Sequence, residues 1–260
     1  MFKKKYLKKI PLIKRLYPSV VKKILNFFQK SKVYFSFYGL KIEGDINEPM
    51  DKEIFLFDDY ENNQIEYLMN KMKKKKFDYL VDVGANSGIY SLIISKKYKN
   101  IKVISFEPVL LSINKFIKNL RLNSNLKNIK IYKFGLSDKN CSLLMKSQKK
   151  KNYIQTGGFG VVKKNENLKN LHTQKAIFKI GDEILKLKKK KIVLKIDTEG
   201  HEEFVIKGLN KLLANNQILL QIEIFDKNFS KINNIFNKKK FQKLKSISSD
   251  GKTDYYYINY

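Results

Sequence analysis

Short apolar runs alternate with helical stretches along the chain from Phe77 onward, and this alternation limits the fold more than any other feature of the sequence. The apolar runs are residues 79–83, 102–106, 129–134, 192–196 and 218–224, and the helical stretches between them are residues 89–97, 110–122 and 202–214. Such a pattern is typical of βα units that build a mostly parallel sheet. We therefore predict an α/β domain over residues 76–260.

Two further strand candidates, residues 241–246 and 255–258, lie at the C-terminal end of the chain. The sequence Ser248-Ser249-Asp250-Gly251 between them is typical of a turn. An antiparallel hairpin is therefore predicted to complete a sheet of seven strands.

Residues 1–75 contain no Gly-rich loop and predict a helical cap on the substrate side of the domain. The pattern favours a helix, a strand-like patch at 33–38, a loop at 39–49 and a second helix that ends in the lysine run 73–76. Residues 146–173, which contain Gly157-Gly158-Phe159-Gly160, are expected to be irregular. They form either a plain surface insertion or a mobile loop over the site.

The first helix is amphipathic and basic, because Leu16, Val20, Ile24 and Phe27/Phe28 recur at helical spacing with lysines between them. We expect this apolar face to pack on the domain while the lysines extend to solvent. Contact with a membrane surface is the alternative. The basic residues interrupt every apolar run here, so neither a signal peptide nor a spanning helix is predicted.

The net charge of +30 would ordinarily suggest a nucleic-acid partner. However, the positive charge is nearly all lysine, and Arg15 and Arg121 are the two arginines in the sequence. Proteins that read phosphates or base edges favour the bidentate arginine fork, so a nucleic-acid partner is not expected. The single cysteine, Cys141, cannot form an intrachain disulfide, which favours a reducing, cytoplasmic setting.

The most informative motif is Asp82-Val83-Gly84-Ala85-Asn86-Ser87-Gly88, which follows an apolar run and opens a helix. Its spacing differs from the Gly-x-Gly-x-x-Gly of dinucleotide-binding proteins, which hold a pyrophosphate on a helix N-terminus. S-adenosylmethionine has no phosphate and needs only a close approach of the backbone. We predict that Asp82, Gly84, Asn86 and Gly88 bind this cofactor, and the alternative is a tight turn without a ligand.

Two acidic residues follow the next two strands. Glu107 ends the second strand, where a carboxylate is placed to accept hydrogen bonds from both ribose hydroxyls. Asp138, in Gly135-Leu136-Ser137-Asp138, follows the third strand, where it is placed to accept from the adenine amino group. Both residues are therefore predicted to bind the adenosine part of the cofactor.

Asp197, Glu199 and His201 follow the fourth strand and precede a helix, at the sheet edge where open α/β folds bind ligands. Methyl transfer to a hydroxyl requires that the hydroxyl lose its proton, and His201 or Asp197 is a candidate general base. Helix capping is the alternative role for Asp197 and Glu199. Asp197, Glu199 and Glu223 have the oxygen ligands that suit Mg²⁺, but no metal is predicted.

In order, the blocks VDVGANSGIYS (81–91), FEP (106–108), GLSD (135–138) and KIDTEGHE (195–202) resemble those of FkbM-type methyltransferases. The resemblance covers roughly residues 77–225. It implies a Rossmann-like class I methyltransferase fold, S-adenosylmethionine as methyl donor, and O-methylation of a sugar or sugar-bearing acceptor. It also implies that the first block binds the cofactor with Glu107 and Asp138, and that the block at Asp197 borders the reacting centre.

Three other functions remain open. A ribose-methylating RNA enzyme is compatible with Lys195, Asp197 and Glu223, although no base-stacking block follows the fourth strand. A binding protein that keeps the fold without activity is opposed by the intact acidic residues. A nicotinamide oxidoreductase or nucleotide-sugar epimerase is opposed by the glycine spacing and by the lack of a Tyr-x-x-x-Lys pair in the expected region.

Overall fold

The computed structural model describes residues 4–28, 30–150, 153–249 and 252–260. Its α-helices, in chain order, are α1 Pro11–Phe27, α2 Pro49–Phe57, α3 Asn62–Lys73, α4 Ile89–Lys97, α5 Leu110–Leu122, α6 Gly181–Ile184, α7 Glu202–Gly208, α8 Asn210–Asn215 and α9 Phe229–Lys238. Short 3-10 helices cover Lys4–Lys9 and Asp226–Asn228.

The strands, in chain order, are β1 Lys32–Phe37, β2 Leu40–Asp45, β3 Tyr79–Val83, β4 Lys102–Phe106, β5 Ile129–Tyr132, β6 Gly135–Ser137, β7 Cys141–Lys150, β8 Tyr153–Ile154, β9 Gly160–Val161, β10 Leu171–Ile180, β11 Lys191–Ile196, β12 Gln217–Phe225, β13 Gln242–Ser249 and β14 Lys252–Ile258. The predicted α/β alternation is confirmed. The helix expected over residues 202–214 is interrupted at Leu209 and forms α7 and α8.

The central sheet has the strand order β13-β14-β12-β11-β3-β4-β5. The strands from β12 to β5 run parallel, while β14 is antiparallel to β12 and to β13. Ser248 and Ser249 of the predicted turn belong to β13, whereas Asp250 and Gly251 lie outside the described residues. The parallel arrangement brings the carboxyl ends of β3, β4, β11 and β12 to one edge of the sheet.

Helices cover both faces of this sheet, as the apolar character of its central strands requires. Successive residues of β3 point to opposite faces, so Leu80 packs in one buried cluster and Val81 in another. The cluster around Leu80 also contains Leu40, Ile54 and Leu68 from the N-terminal segment. That segment therefore shares a core with the sheet.

The N-terminal loop predicted over residues 39–49 was partly wrong, because β2 occupies most of it and pairs with β1. The turn between the two strands is formed by Tyr38 and Gly39, with φ values of +48° and +71°. Two consecutive residues with positive φ match the twist of a tight hairpin. The Tyr-Gly pair is the signal that the sequence prediction overlooked.

The irregular insertion predicted over residues 146–173 was also wrong, since much of it belongs to a second, five-stranded sheet. The long strands β7 and β10 pair antiparallel, β6 runs parallel to β10, and β8 and β9 pair with β7. Met145, Phe159 and Phe178 are buried in its core. The exposed Leu144 and the buried Ser147 of β7 break the alternation of apolar and polar residues that would have marked this strand. Lys151 and Asn152 lie outside the described residues.

Helix α1 packs on the domain through a different face from the one predicted. Tyr17, Val21 and Leu25 contact the buried cluster that contains Leu56 and Phe57. The predicted apolar face, Leu16, Val20, Ile24, Phe27 and Phe28, is exposed instead. Among the described residues, no helix combines the length and the apolar character needed to cross a bilayer.

Candidate active site

A cavity of about 670 Å³ opens at the carboxyl edge of the central sheet. Residues that follow β3, β4 and β11, such as Gly84, Glu107 and Asp197, form its floor together with Glu223 of β12. One wall comes from residues 48–64 of the N-terminal segment, and the opposite wall comes from the second sheet and its loop. Ligands of open parallel sheets bind at such an edge.

The glycine loop brings two strand ends into close contact. Gly84 has a φ of +82°, and its backbone N–H donates to the carbonyl oxygen of Phe106 at 3.0 Å. A Cβ atom at Gly84 would lie 1.8 Å from the carbonyl oxygen of Asp197. Since no side chain fits at this position, the glycine allows the loop after β3 to touch the loop after β11.

Of the predicted loop residues, Gly84 and Asn86 line the cavity within the described part of the chain, but Asp82 and Gly88 do not. Asp82 is fully buried below the floor, where its Oδ2 accepts a hydrogen bond from Ser91 Oγ at 2.6 Å. Burial raises the pKa of Asp82. Asp82 therefore lies beneath the glycine loop, and Gly88 lies at the start of α4.

Glu107 lines the cavity and is held by the backbone. Its carboxylate accepts the N–H groups of Asn86 at 2.8 Å and Val109 at 2.9 Å. Burial raises the pKa of Glu107 to about 7, although both N–H groups oppose this shift. Each carboxylate oxygen keeps a lone pair, so Glu107 can accept further hydrogen bonds from a ligand hydroxyl.

Asp138 is half-buried and lies outside the cavity lining as the described residues define it. Its Oδ1 accepts a hydrogen bond from Ser137 Oγ at 3.2 Å. Gly135 and Leu136 line the cavity in this region instead. The structure thus brings Glu107 to the cavity directly and leaves Asp138 at its periphery.

Asp197, Glu199 and Glu223 form a cluster of carboxylates in which one oxygen of each lies within 4.8 Å of the others. Lys195 Nζ pairs with Asp197 Oδ2 at 2.9 Å. Lys252 Nζ bridges Glu199 and Glu223 at 2.7 and 2.8 Å. The two ammonium groups therefore supply positive charge to all three carboxylates.

The members of this carboxylate cluster differ in protonation. Burial and the charge of Asp197 raise the pKa of Glu223 to about 9, so Glu223 is protonated near neutrality. Burial also disfavours ionisation of Asp197, but Lys195 and Lys252 outweigh it and lower the pKa of this carboxylate. Asp197 is therefore ionised and lies beside the protonated Glu223.

Lys195 is the centre of a buried polar network behind the cavity. It is 4% exposed, and its Nζ lies 4.6 Å from the centroid of the Tyr90 ring. Burial lowers its pKa, but Asp197, Asp82 and Glu61 reverse this effect and raise it. A charged residue within the otherwise apolar run 192–196 of β11 was the available signal for this network.

Other cavity residues that sequence reasoning missed come from the N-terminal segment and the C-terminal hairpin. Glu61 accepts a hydrogen bond from Tyr90 Oη at 2.8 Å, and Lys252 begins β14. Neither residue belongs to a motif with recognisable spacing. Their positions follow only from the way the chain folds back over the sheet edge.

His201 lines the cavity but is 6% exposed and packed between two aromatic rings. The centroid of its ring lies 4.7 Å from that of Phe204 and 5.2 Å from that of Phe178, and its Nε2 pairs with Ser137 Oγ at 2.9 Å. Burial lowers the pKa of His201 to about 4 against the opposing charge of Asp138. The geometry therefore favours Asp197 over His201 as the proton acceptor.

The buried His201 predicts a measurable pH dependence of stability. Its folded pKa of about 4 lies below the ordinary value of 6.5, so the unfolded chain takes up a proton first as the pH falls. The stability contribution is therefore present above pH 6.5 and is lost toward pH 4, by about 1.4 kcal/mol per pH unit. His201→Gln removes this loss, and urea unfolding of both proteins at several pH values measures the difference. Parallel pH profiles for the two proteins would contradict the assignment.

The loop around Gly157 is attached to the N-terminal segment across the cavity mouth. Glu48 accepts the backbone N–H of Thr156 at 3.1 Å and the Thr156 hydroxyl at 3.2 Å. Gln155, Gly157, Gly158 and Phe159 then line the cavity. The segment predicted as a loop over the site therefore forms part of its wall.

The cavity is acidic although the chain is strongly basic. Among the described residues its lining carries eight carboxylates and two lysines. The carboxylates belong to Glu48, Glu53, Asp59, Glu61, Glu107, Asp197, Glu199 and Glu223, and the lysines are Lys8 and Lys252. The interior of the site thus favours cations and hydroxyl donors over phosphates.

Comparisons with known proteins agree with this architecture. The family model of the methyltransferase FkbM domain matches residues 82–243. Methyltransferase sdnD of Sordaria araneosa is 39% identical over 59 residues, which cover 23% of this chain and 23% of that protein. Methyltransferase 1 of Beauveria bassiana is 25% identical over 151 residues, which cover 51% of this chain and 58% of that protein.

Among solved structures, methyltransferase FkbM from Methylobacillus flagellatus superimposes with a TM-score of 0.50 at 16% identity. The match covers 70% of this chain and 43% of that one. At this identity the likeness concerns the fold. In each of these three comparisons the matched stretch spans less than two thirds of the other protein.

Proposed function

The chain belongs to the FkbM methyltransferase family, and from this membership we propose that it transfers a methyl group from S-adenosylmethionine to a hydroxyl of a saccharide-like acceptor. The observation that carries the proposal is one cavity that contains both Glu107 and Asp197. Glu107 is suited to a nucleoside, and Asp197 is suited to a reacting hydroxyl.

The cavity residues fit S-adenosylmethionine. The volume of about 670 Å³ is in the range of ligand sites and leaves room for an acceptor beside the cofactor. Gly84 brings bare backbone to the floor, and Asn86 Oδ1 is buried with no hydrogen-bond partner among the described residues. We assign Gly84, Asn86 and Glu107 to direct contact with the cofactor. Asp82 supports the loop from below. Gly88 and Asp138 lie outside the cavity lining as the described residues define it, and we propose that they act on the cofactor site indirectly.

When bound, S-adenosylmethionine supplies an electrophilic methyl group on a sulfonium. The residues of the cavity then have two tasks: to hold the acceptor hydroxyl in line, and to receive its proton. Asp197 is ionised and lines the cavity, so its carboxylate would take the hydroxyl proton. The methyl carbon would form its bond to the acceptor oxygen as its bond to sulfur breaks, which leaves S-adenosylhomocysteine. His201, which is neutral and bonded to Ser137, positions the start of α7 next to this carboxylate.

Glu223, Glu199 and Lys252 adjust the strength of Asp197 as a base. The proton on Glu223 stays with the cluster because burial raises the pKa of that residue to about 9. Lys252 fixes the orientation of Glu199 and Glu223. A single ionised carboxylate therefore faces the acceptor from an otherwise neutralised cluster.

The mouth of the cavity is suited to a polyhydroxylated acceptor. Glu48, Asn62, Gln64 and Gln155 offer carboxylate and amide groups, which bind hydroxyls by accepting or donating hydrogen bonds. Tyr60 and Phe159 add aromatic surface of the kind that packs against the apolar side of a ring. These features support a saccharide over a purely apolar acceptor.

An RNA acceptor is disfavoured by the same lining. Phosphate groups would approach eight carboxylates with two lysines to compensate, and a nucleic-acid site needs the opposite balance. The basic charge of the chain lies outside the cavity. We therefore do not retain ribose methylation as a second proposal.

Substitution of Glu107 tests the cofactor site. Calorimetric titration of the wild type with S-adenosylhomocysteine should show affinity that falls about tenfold from pH 8 to pH 6, because Glu107 loses its charge as the pH drops through about 7. Glu107→Gln should bind more weakly at pH 8 and show little pH dependence. Glu53→Gln, which changes a carboxylate paired with Lys8 in the cavity wall, is the matched control and should bind as the wild type does.

Equal affinity in the wild type and Glu107→Gln would remove the ribose assignment. A methyl-transfer assay with radiolabelled cofactor and a panel of saccharides separates an enzyme from a binding protein of the same fold. Binding of S-adenosylhomocysteine without transfer to any hydroxyl-bearing compound would oppose the proposed reaction and leave the cofactor site intact.

A further inference from the structure

Helix α1 presents an apolar stripe to solvent. Leu12, Leu16, Val20 and Ile24 recur every four residues and are 67, 51, 52 and 53% exposed. Phe27 extends the stripe at its C-terminal end and is 83% exposed. Single exposed apolar residues are common on protein surfaces, but a continuous row along a helix marks an interaction surface.

The stripe is a stable part of the fold, because the neighbouring face of α1 is anchored. Tyr17, Val21 and Leu25 pack on the cluster that contains Val33 and Phe57. The ring centroids of Tyr17 and Phe57 lie 6.1 Å apart in an edge-to-face contact. Because this face packs on the domain, the stripe lies on the outer side of the helix, without a partner among the described residues.

The chain segment that carries the stripe has only positive side-chain charges. Residues 1–42 contain twelve lysines and arginines and no acidic residue. At 100° per residue, Arg15 and Lys23 lie on the side of the stripe away from the packed face, and both are exposed. An apolar row bordered by cations matches the composition of helices that lie in the interface of a membrane.

We propose that the outer face of α1 docks on an anionic lipid surface. The apolar stripe enters the boundary between headgroups and acyl chains, and Arg15 and Lys23 remain at the level of the lipid phosphates. A second copy of the chain is a poorer occupant, because two such faces would bring like charges together. Nucleic acid is a poorer occupant as well, because it gives the stripe no apolar partner.

The helix that carries the docking face follows, in sequence, a segment that lines the cavity. The 3-10 helix Lys4–Lys9 directly precedes α1 and contributes Lys8, which lines the cavity and pairs with Asp59 at 2.6 Å. The segment that precedes the docking helix is therefore part of the N-terminal wall of the cavity. This location favours acceptors that are presented at a membrane, although the docking itself does not depend on the methyl-transfer proposal.

Co-sedimentation of the full chain with vesicles tests the proposal. Vesicles of equal parts phosphatidylserine and phosphatidylcholine should bind the wild type at least about tenfold more tightly than phosphatidylcholine vesicles do. Leu16→Gln/Ile24→Gln should weaken binding to the anionic vesicles about tenfold. The matched control, Leu110→Gln/Ile177→Gln, changes side chains of similar exposure (55 and 59%) elsewhere and should bind as the wild type does.

A second pair separates the role of charge from that of the stripe. Arg15→Gln/Lys23→Gln should weaken binding about tenfold. Lys189→Gln/Lys190→Gln, which changes two exposed lysines in the loop before β11, should not. Thermal unfolding of each variant verifies that it folds. Equal binding to both kinds of vesicle, or unchanged binding by the α1 variants, would overturn the proposal. The proposal would also be overturned if the wild type did not bind vesicles but formed a dimer, and Leu16→Gln/Ile24→Gln dissociated that dimer.

Discussion

Asp197→Asn is expected to lower the rate of methyl transfer by about 10²- to 10⁴-fold, the usual contribution of a positioned general base. The substitution keeps the shape of the side chain and removes its ability to take the hydroxyl proton. Affinity for S-adenosylhomocysteine should change little, because the charge of Asp197 is a minor influence on Glu107, and the glycine loop meets Asp197 at its backbone carbonyl. A rate assay at saturating cofactor, together with calorimetric titration, measures both quantities.

Two controls make this result interpretable. Glu199→Gln changes a neighbouring carboxylate that is paired with Lys252, and it should reduce the rate far less than Asp197→Asn does. Asp197→Asn also leaves the ammonium of Lys195 buried with less negative charge, which costs stability. Lys195 is kept because it also faces the buried Asp82 and Glu61. If Asp197→Asn unfolds cooperatively and binds S-adenosylhomocysteine but does not transfer methyl groups, the loss is assigned to chemistry. An active Asp197→Asn enzyme would transfer the role of base to another residue.

Gly84→Ala is expected to destabilise the fold by about 3 kcal/mol or more and to abolish cofactor binding. The new Cβ would lie 1.8 Å from the Asp197 carbonyl oxygen, at a φ of +82° that disfavours any side chain. Relief of this clash requires the loops after β3 and β11 to separate, which opens the floor of the cavity. Urea unfolding and titration with S-adenosylhomocysteine measure the two effects.

Gly157→Ala is the matched control in the opposite wall of the same cavity. A Cβ there would meet Asn86 Nδ2 at 3.6 Å, which is an ordinary contact, and the backbone does not have a positive φ. This variant should keep its stability within about 0.5 kcal/mol. If both glycine variants behaved alike, the close approach of Gly84 to Asp197 would not be the cause.

Much of the fold was predictable because its strands are buried on both faces. Residues 79–83 and 102–106 were bounded correctly from their apolar character, since a central strand has no polar face to obscure its limits. The second sheet escaped prediction because it is partly solvated. In β7, the outward Leu144 is apolar and the buried Ser147 is polar, so apolar and polar residues do not alternate.

The residues of the candidate site also fall into a group that the sequence predicts and a group that it does not. Glu107 and Asp197 follow strands directly, so the parallel topology alone brings them to one edge. Glu48, Glu61 and Lys252 reach the cavity through tertiary packing, for which a single sequence holds no local signal. The outward direction of the stripe on α1 was missed for a related reason: two adjacent faces of that helix are apolar, and spacing does not tell which one is covered.

The hydrogen bonds between Glu48 and Thr156 join segments 108 residues apart in the chain, and neither segment belongs to the central sheet. In the proposed enzyme these two segments would contact the acceptor, while the central sheet holds Glu107 and Asp197. Substitutions at Glu48 or Thr156 would then change which acceptors bind and how fast products leave, without changing the cofactor site. A fold divided in this way could gain new acceptors through a few substitutions in the walls of the cavity.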